Sequence, residues 1–310
     1  MYYLTAIDDA AATTPAAYAA SSTGFTRQTL LDRATGSPHM GLYVGHLAPG
    51  GTIDAVVHSF ESSLYVREGA VSVTMQGATT WLGPDHCLVI PVGVTYSLRA
   101  LDDGATFMEV HAPGDLDDGR RRDTFFTGEV LADAEPIVPD MRDPRNRHAV
   151  RFDSSSMDLH QLARGAAVND PTASPSMATA LLAYSGIGVR MLIDQRVGAQ
   201  LHTVFIVDYQ PTAIAHPHDH PFEEAYVFVE GETHALVDGD ELVLHPGDVL
   251  WAGVGADHGF ENRGDGHVRW IEYQAPQPPA QHSYRFSREW EYLAATLDAE
   301  HPHPHPHPHP

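Results

Sequence analysis

Short apolar segments rich in β-branched and aromatic residues recur along two stretches of the chain, residues 41–112 and residues 187–276. Gly, Pro, Asp or Asn interrupts each segment, as is typical of β-strands joined by tight turns. In the first stretch the pattern predicts strands at Met40–Leu47, Ser63–Arg67, Ala70–Met75, His86–Ile90, Tyr96–Ala100 and Thr106–His111. In the second it predicts strands at Gly188–Asp194, Thr203–Gln210, Glu224–Val229, Thr233–Val237, Glu241–Leu244, Asp248–Ala252, Gly259–Glu261 and Val268–Gln274. The sequence therefore predicts an all-β fold.

The two stretches are related by an internal repeat. A shift of 162 residues places Phe60-Glu61 on Phe222-Glu223, and the alignment continues without a gap for about 45 residues. Most of the matches fall at turns: Glu68-Gly69 with Glu230-Gly231, Gly77 with Gly239, Pro84 with Pro246, and Val92-Gly93 with Val254-Gly255. Because turn geometry restricts residue type, matching turns indicate a duplicated β unit.

The duplication divides the chain into three parts. We expect an N-terminal domain with its connector over residues 1–150, a C-terminal domain over residues 151–300, and an expression tag over residues 301–310, where His and Pro alternate.

Composition limits the classes of partner and chemistry. The chain has 18 basic and 41 acidic residues, a net charge of −23, so we expect neither nucleic acid nor an anionic membrane as a partner. Lysine is absent, which excludes Schiff-base chemistry and the Walker phosphate loop. The single cysteine, Cys87, allows no internal disulfide, and this favours a cytoplasmic location.

The segment from residue 215 to residue 231, AHPHDHPFEEAYVFVEG, concentrates histidine and carboxylate side chains. On a strand, residues two apart point to the same face, so His218 and His220 lie side by side and Glu224 has the same parity. Two imidazoles and one carboxylate suit a divalent transition metal. His258, which follows the turn at residues 253–255, is the natural fourth ligand from a neighbouring strand.

These residues resemble the two sequence motifs of the cupin superfamily. His218, His220, Glu224 and Gly231 match the first motif, H-x-H-x(3,4)-E-x(6)-G. Gly247, Gly255, His258 and Asn262 match the second, with Gly253 in place of its proline. The resemblance implies two tandem jelly-roll barrels and a metal held by His218, His220, Glu224 and His258.

The first copy lacks most of these ligands. The 162-residue shift places Val56, His58, Ser62 and Tyr96 at the positions of the four ligands. One imidazole is too few for a metal site. We therefore expect one divalent ion per chain, of Mn, Fe, Ni, Zn or Cu, in the C-terminal barrel only.

The architecture is similar to ureidoglycine aminohydrolase, a bicupin of purine breakdown, whereas the ligand set is closer to cupin dioxygenases with three histidines and one glutamate. Oxalate decarboxylases differ, since they keep metal sites in both barrels. The prediction is a metal-dependent bicupin enzyme acting on a small polar substrate by hydrolase, lyase or isomerase chemistry. The alternatives are an iron or copper dioxygenase and a non-catalytic metal- or ligand-binding cupin. A homodimer is expected from the resemblance.

Several polar residues on the C-terminal strands are candidates for contact with the substrate. Strand parity alone does not tell which of them face the metal. They are Arg190, His202, Tyr226, Arg269, Glu272 and Gln274. An inward Arg190 or Arg269 would suit a substrate carboxylate through a bidentate contact.

Overall fold

The structure of the protein is a computed structural model. It describes residues 1–116, 122–140, 143–153, Met157, 185–277 and the backbone of Arg285–Phe286. The segment 301–310 lies outside these residues. Within the described residues, no helix has the length and apolar character needed to cross a membrane.

The described chain consists of β-strands with two short 3₁₀ helices at Asp9–Ala11 and Gln195–Val197. The strands are β1 (Tyr2–Ala6), β2 (Ser22–Leu31), β3 (Gly41–His58), β4 (Glu61–Met75), β5 (Ala78–Leu82), β6 (His86–Ile90), β7 (Tyr96–Ala112), β8 (Thr124–Phe126), β9 (Ala149–Arg151), β10 (Ile187–Ile193), β11 (Thr203–Tyr209), β12 (Ile214–Asp219), β13 (Glu223–Glu230), β14 (Thr233–Val237), β15 (Asp240–Leu244), β16 (Asp248–Ala252), β17 (His258–Glu261), β18 (Val268–Ala275) and β19 (Arg285–Phe286). The all-β prediction is confirmed.

Two sheets form the C-terminal barrel. The larger has the strand order β1-β16-β13-β18-β11-β10, and the smaller has the order β15-β14-β17-β12-β19. Side chains alternate between the faces of each strand, and the inward ones form an apolar core that includes Val189, Phe205, Phe260 and Trp270. The site described below lies at one end of this core.

The N-terminal barrel is built from fewer and longer strands. Its order is β2-β3-β7-β4-β6-β9, with β5 paired to β4 and β8 paired to β3. Strands β3, β4 and β7 are 18, 15 and 17 residues long, and their pairing register shifts where the sequence predicted breaks between strands. The bulges at these shifts bend each strand, so that one strand serves both faces of the barrel.

The sequence pattern missed several strands, including β1, β2, β5, β8 and β9. Segments 2–6 and 78–82 are partly exposed and lack a continuous apolar run. They become strands because neighbouring edges pair with them, which a local pattern does not reveal.

Turn geometry supports the duplication. Gln76 and Asp238, which are related by the 162-residue shift, both have positive φ, at 51° and 49°. Gly69 and Gly231 are also related by the shift and have φ of +68° and +78°. A Cβ at Gly69 would lie 2.1 Å from the Gly104 carbonyl oxygen, and a Cβ at Gly231 would lie 2.4 Å from the His267 carbonyl oxygen. Glycine is therefore required at this bend in both copies.

We expect Gly231→Ala to lower the free energy of unfolding by about 2–4 kcal/mol, because strain at positive φ adds to a clash with rigid backbone. Gly239→Ala is the matched control, since Gly239 has φ of +91° but nothing lies within 4 Å of its added Cβ. Gly239→Ala should lower the free energy of unfolding by only about 1 kcal/mol. Urea unfolding measures both, and equal losses in the two variants would contradict the steric explanation.

One strand crosses between the barrels. β1, at the start of the chain, pairs with β16 of the C-terminal barrel, with Leu4 opposite Leu250. β9, at the expected boundary, pairs with β6 of the N-terminal barrel, with Val150 opposite Cys87. The boundary at residue 150 stays a prediction. A shared apolar layer, which includes Leu42, Val110, Ile206, Val227 and Trp251, packs between the barrels.

Two buried glutamates, related by the repeat, connect the barrels. Glu61 accepts hydrogen bonds from the backbone N–H groups of Gln200 and Leu201, at 2.7 and 3.0 Å. Glu223 accepts one from Ser37 Oγ at 2.6 Å. Each carboxylate thus holds a loop of the opposite barrel. This pair explains why the Phe-Glu dipeptide recurs in both copies.

Candidate metal centre

Three histidines meet at one end of the C-terminal barrel. His218 lies on β12, His220 follows this strand directly, and His258 begins β17 and is paired with His218. One ring nitrogen from each histidine lies within 4.8 Å of the other two, and all three side chains are buried. Within the part of the chain that the structure describes, these three histidines are spaced closely enough to hold a metal ion.

Backbone carbonyls orient two of the imidazole rings. The Nδ1 atom of His218 lies 2.6 Å from the carbonyl oxygen of His216, and that of His258 lies 2.9 Å from the carbonyl oxygen of Ala256. A carbonyl accepts a hydrogen bond, so each Nδ1 carries a proton, and Nε2 is the nitrogen through which the neutral ring would bind a metal. This tautomer is the one that a metal ligand needs, and the donor set fits a divalent transition metal.

Glu224, on β13, places its carboxylate against the same cluster. Its Oε2 lies 2.9 Å from His258 Nε2, and its Oε1 lies 3.4 Å from His220 Nε2. The structure thus brings together all four residues that the sequence suggested as ligands. A metal held there would have three imidazole nitrogens and one carboxylate oxygen available to it.

Burial and mutual charge set the protonation of this group. Burial and the charges of His258 and His220 lower the pKa of His218 to about 3. Burial lowers the pKa of His258, but the hydrogen bond and charge of Glu224 outweigh it, so the pKa lies above the usual value. Burial raises the pKa of Glu224, yet the neighbouring His220 and His258 hold it well below the usual range. Glu224 is therefore an anionic carboxylate at neutral pH.

Three of the candidate residues lie beside Glu224. Tyr226 Oη donates to Glu224 Oε2 at 2.5 Å and lies 2.9 Å from His258 Nε2. Gln274 Nε2 donates to Glu224 Oε1 at 2.7 Å and to Glu272 Oε1 at 3.2 Å. Burial, followed by the charge of Glu224, raises the pKa of Glu272 well above the usual value. This shift favours the protonated form of Glu272.

The structure does not bring the other three candidates to the cluster. His202 lies between the barrels, with Nδ1 2.7 Å from Glu61 Oε1 and Nε2 2.9 Å from Ser63 Oγ. Arg269 forms an ion pair with Asp208 at 2.7 Å. It alternates on β18 with the inward Trp270 and Glu272 and so has the opposite parity.

Arg190 also faces away from the barrel interior. Its neighbours on β10, Val189 and Met191, lie in the barrel core, whereas Leu192 lies in the layer between the barrels. Arg190 has the parity of Leu192. The expected contact of Arg190 or Arg269 with a substrate carboxylate at the metal is therefore not supported by their positions.

Two residues near the ligands were not suggested by the sequence. Thr203 Oγ1 donates to Gln274 Oε1 at 3.2 Å, and Trp270 Nε1 donates to Glu272 Oε2 at 3.0 Å. The alternation of Trp270, Glu272 and Gln274 on β18 is the signal that would have placed all three on one face.

The equivalent end of the N-terminal barrel has a different chemistry. His58 and Tyr96 stand at the positions of His220 and His258, and their side chains are 2.9 Å apart. Beside them lies a buried group of charged side chains that the sequence analysis missed. Arg27 lies 3.6 Å from Glu109, and His111 lies 3.0 Å from the same carboxylate. An arginine and a carboxylate are thus buried together in this barrel, and the expectation that it binds no metal stays a prediction.

Comparisons with known proteins agree with this architecture. The profile of the family described as "Cupin domain" matches residues 205–273, which contain all four candidate ligands. No curated protein matches the sequence at a significant level. Among solved structures, a deletion mutant of Bacillus subtilis oxalate decarboxylase is similar, with a TM-score of 0.61, 16% identity, and coverage of 95% of this chain and 83% of that chain. Oxalate decarboxylase from the same organism at pH 4.6 gives a TM-score of 0.58 and 17% identity over 90% of this chain and 78% of that chain.

These structures are 16% and 17% identical to this chain, so they establish its fold alone. The profile match identifies a cupin domain over residues 205–273. Both barrels align within one comparison, since 95% of this chain is covered. Residues 205–273 thus match the cupin domain family, and the chain as a whole has the fold of two tandem jelly-roll barrels.

Proposed function

We propose that this protein is a divalent-metal-dependent bicupin enzyme that transforms a small polar organic substrate in its C-terminal barrel by lyase, hydrolase or isomerase chemistry. The observation that carries the proposal is the buried cluster of His218, His220 and His258, with two tautomers fixed for metal binding and Glu224 beside it. The N-terminal copy, in contrast, has one histidine, His58, at the four corresponding positions.

When bound, a divalent cation would supply Lewis-acid polarisation of a substrate oxygen. His218, His220, His258 and Glu224 would hold it. Glu272, which shares the Gln274 amide with Glu224, adds a carboxyl group at the same end of the barrel. The similar Bacillus subtilis structures are named oxalate decarboxylase. Small carboxylic acids are therefore the first substrates to test.

A dioxygenase is the second candidate, because three imidazoles and one carboxylate also suit iron and copper. Such an enzyme would consume oxygen only with substrate and a redox-active ion. A non-catalytic metal-binding cupin is the remaining alternative. These three functions differ in what the metal-loaded protein does with substrate and oxygen.

The experiment uses protein that ends at residue 300, because the histidines of the His-Pro repeat at residues 301–310 are potential metal ligands of their own. Metal-depleted protein is loaded separately with Mn, Fe, Ni, Zn or Cu and incubated with small carboxylic acids, amides and phenols. We expect substrate loss without oxygen uptake with at least one metal, measured as released carbon dioxide, released ammonia or rearranged product.

Oxygen uptake that depends on substrate and on iron or copper would favour the dioxygenase instead. A stoichiometrically loaded protein without turnover across the panel would favour the non-catalytic cupin. Absence of bound metal in the wild type would contradict the proposal altogether.

A further inference from the structure

Both oxygens of the Glu224 carboxylate are held from outside the histidine cluster. Oε2 receives the Tyr226 hydroxyl at 2.5 Å, and Oε1 receives the Gln274 amide at 2.7 Å. A carboxylate oxygen has two lone-pair directions. One direction on each oxygen is therefore taken by these donors, and each oxygen also lies near a histidine, Oε2 near His258 and Oε1 near His220.

Gln274 is itself fixed by further hydrogen bonds. Its Oε1 accepts from Thr203 Oγ1 at 3.2 Å, and its amide also donates to Glu272 Oε1 at 3.2 Å. Trp270 holds the other oxygen of Glu272 at 3.0 Å. Buried and satisfied at both ends, the Gln274 amide keeps one orientation, with its N–H toward Glu224.

The N-terminal barrel provides an internal comparison. In its sheet Ser62 is paired with His111, as Glu224 is paired with Gln274 in the C-terminal barrel. The repeat likewise places Leu64 at the position of Tyr226. The barrel that lacks the glutamate thus also lacks the tyrosine and the glutamine. Glu109 nevertheless stands where Glu272 does, paired with Leu64 as Glu272 is paired with Tyr226.

We propose that Tyr226 and Gln274 are positioning residues that hold Glu224 as a ligand, and that they thereby set the affinity and coordination number of the C-terminal metal centre. This inference rests on the proposed function, because it requires that the cluster binds a metal. Tyr226 and Gln274 act through Glu224. Without them the carboxylate is free to rotate, and ligation by Glu224 carries the entropic cost of fixing its side chain.

The test uses Co²⁺ with protein that ends at residue 300, and it compares the wild type with Tyr226→Phe and Gln274→Leu. The visible spectrum of Co²⁺ reports coordination number and ligand set independently of any activity. Glu224→Gln supplies the spectrum of a centre with a weakened fourth ligand. Tyr273→Phe is the matched control, because it removes a buried hydroxyl that has no hydrogen-bond partner among the described residues and lies on the face of β18 opposite Gln274.

We expect Tyr226→Phe and Gln274→Leu to lower Co²⁺ affinity about 10- to 100-fold and to shift the spectrum toward that of Glu224→Gln. Tyr273→Phe should keep the wild-type affinity and spectrum. If Gln274→Leu does not fold, Tyr226→Phe carries the test, since it removes a single hydroxyl and keeps the ring.

A wild-type spectrum in both variants would overturn the proposal, whether or not affinity falls, because Glu224 would then ligate without its two donors. In that case the proposed function stands, since metal still binds. A wild-type protein that binds no Co²⁺ would overturn both.

Discussion

Replacement of His258 by alanine is expected to abolish stoichiometric metal binding by protein that ends at residue 300. His258 Nε2 faces the cluster because Nδ1 is held by the Ala256 carbonyl. Its loss leaves two imidazoles and Glu224. Loss of a residue that merely supports a ligand typically costs 10- to 100-fold in metal affinity, so loss of a ligand should cost more than about 100-fold. Elemental analysis and calorimetric titration measure this loss.

His245→Ala is the control for this experiment. The side chain of His245 is 58% exposed and lies near Glu232 and Asp248, outside the cluster. This variant should bind as much metal as the wild type. Full occupancy in His258→Ala would place the metal elsewhere and contradict the assignment of the site.

A thermal measurement separates a lost ligand from a damaged fold. A ligand present at about 1,000 times its dissociation constant stabilises the folded state by about 4 kcal/mol. Metal should therefore raise the unfolding temperature of the wild type and leave that of His258→Ala unchanged. If the two proteins already differ greatly without metal, the substitution has disturbed the barrel itself.

Replacement of Glu61 by alanine is expected to lower the free energy of unfolding by about 3 kcal/mol or more. The carboxylate accepts two backbone N–H groups of the opposite barrel and lies 2.7 Å from His202 Nδ1. Each polar group that loses its partner away from water costs about 1–3 kcal/mol. Burial raises the pKa of Glu61, but the contacts with His202, Leu201 and Gln200 lower it below the usual value overall. The bonds thus favour the ionised carboxylate.

Glu68→Ala is the matched control, because Glu68 lies on the same strand and is exposed. It should change the unfolding free energy by no more than about 0.5 kcal/mol. Urea unfolding of the three proteins, followed by far-UV circular dichroism, gives the comparison. Equal stability of Glu61→Ala and Glu68→Ala would show that Glu61 does not connect the barrels.

The proximity of the histidines and Glu224 was predictable because these residues are close in sequence and share strand parity. His218, His220 and Glu224 need only an extended backbone to approach one another, and His258 needs only one antiparallel partner strand. The repeat was predictable for a related reason. Turns with positive φ restrict residue type, so Gly69 and Gly231 recur at the same position of each copy.

The residues around the ligands were less predictable. Parity within β18 groups Trp270, Glu272 and Gln274 on one face, but nothing in the sequence tells whether that face or the face of Arg269 points inward. The packing of the apolar layer between the barrels decides which face of β18 points inward. This layer covers strand faces that would otherwise be exposed to solvent. Arg190 and His202 are therefore buried although neither faces the histidine cluster.

The sequence by itself determined the strands of a duplicated β unit, the four candidate ligands and their absence from the first copy, because each depends on residues within one or two neighbouring strands. Only the tertiary structure decided the pairing of β1 with β16, the use of Glu61 and Glu223 between barrels, and the placement of Tyr226 and Gln274 on the Glu224 carboxylate. These depend on which distant surfaces pack together. Such packing follows from burial of apolar faces over the whole chain rather than from any local pattern.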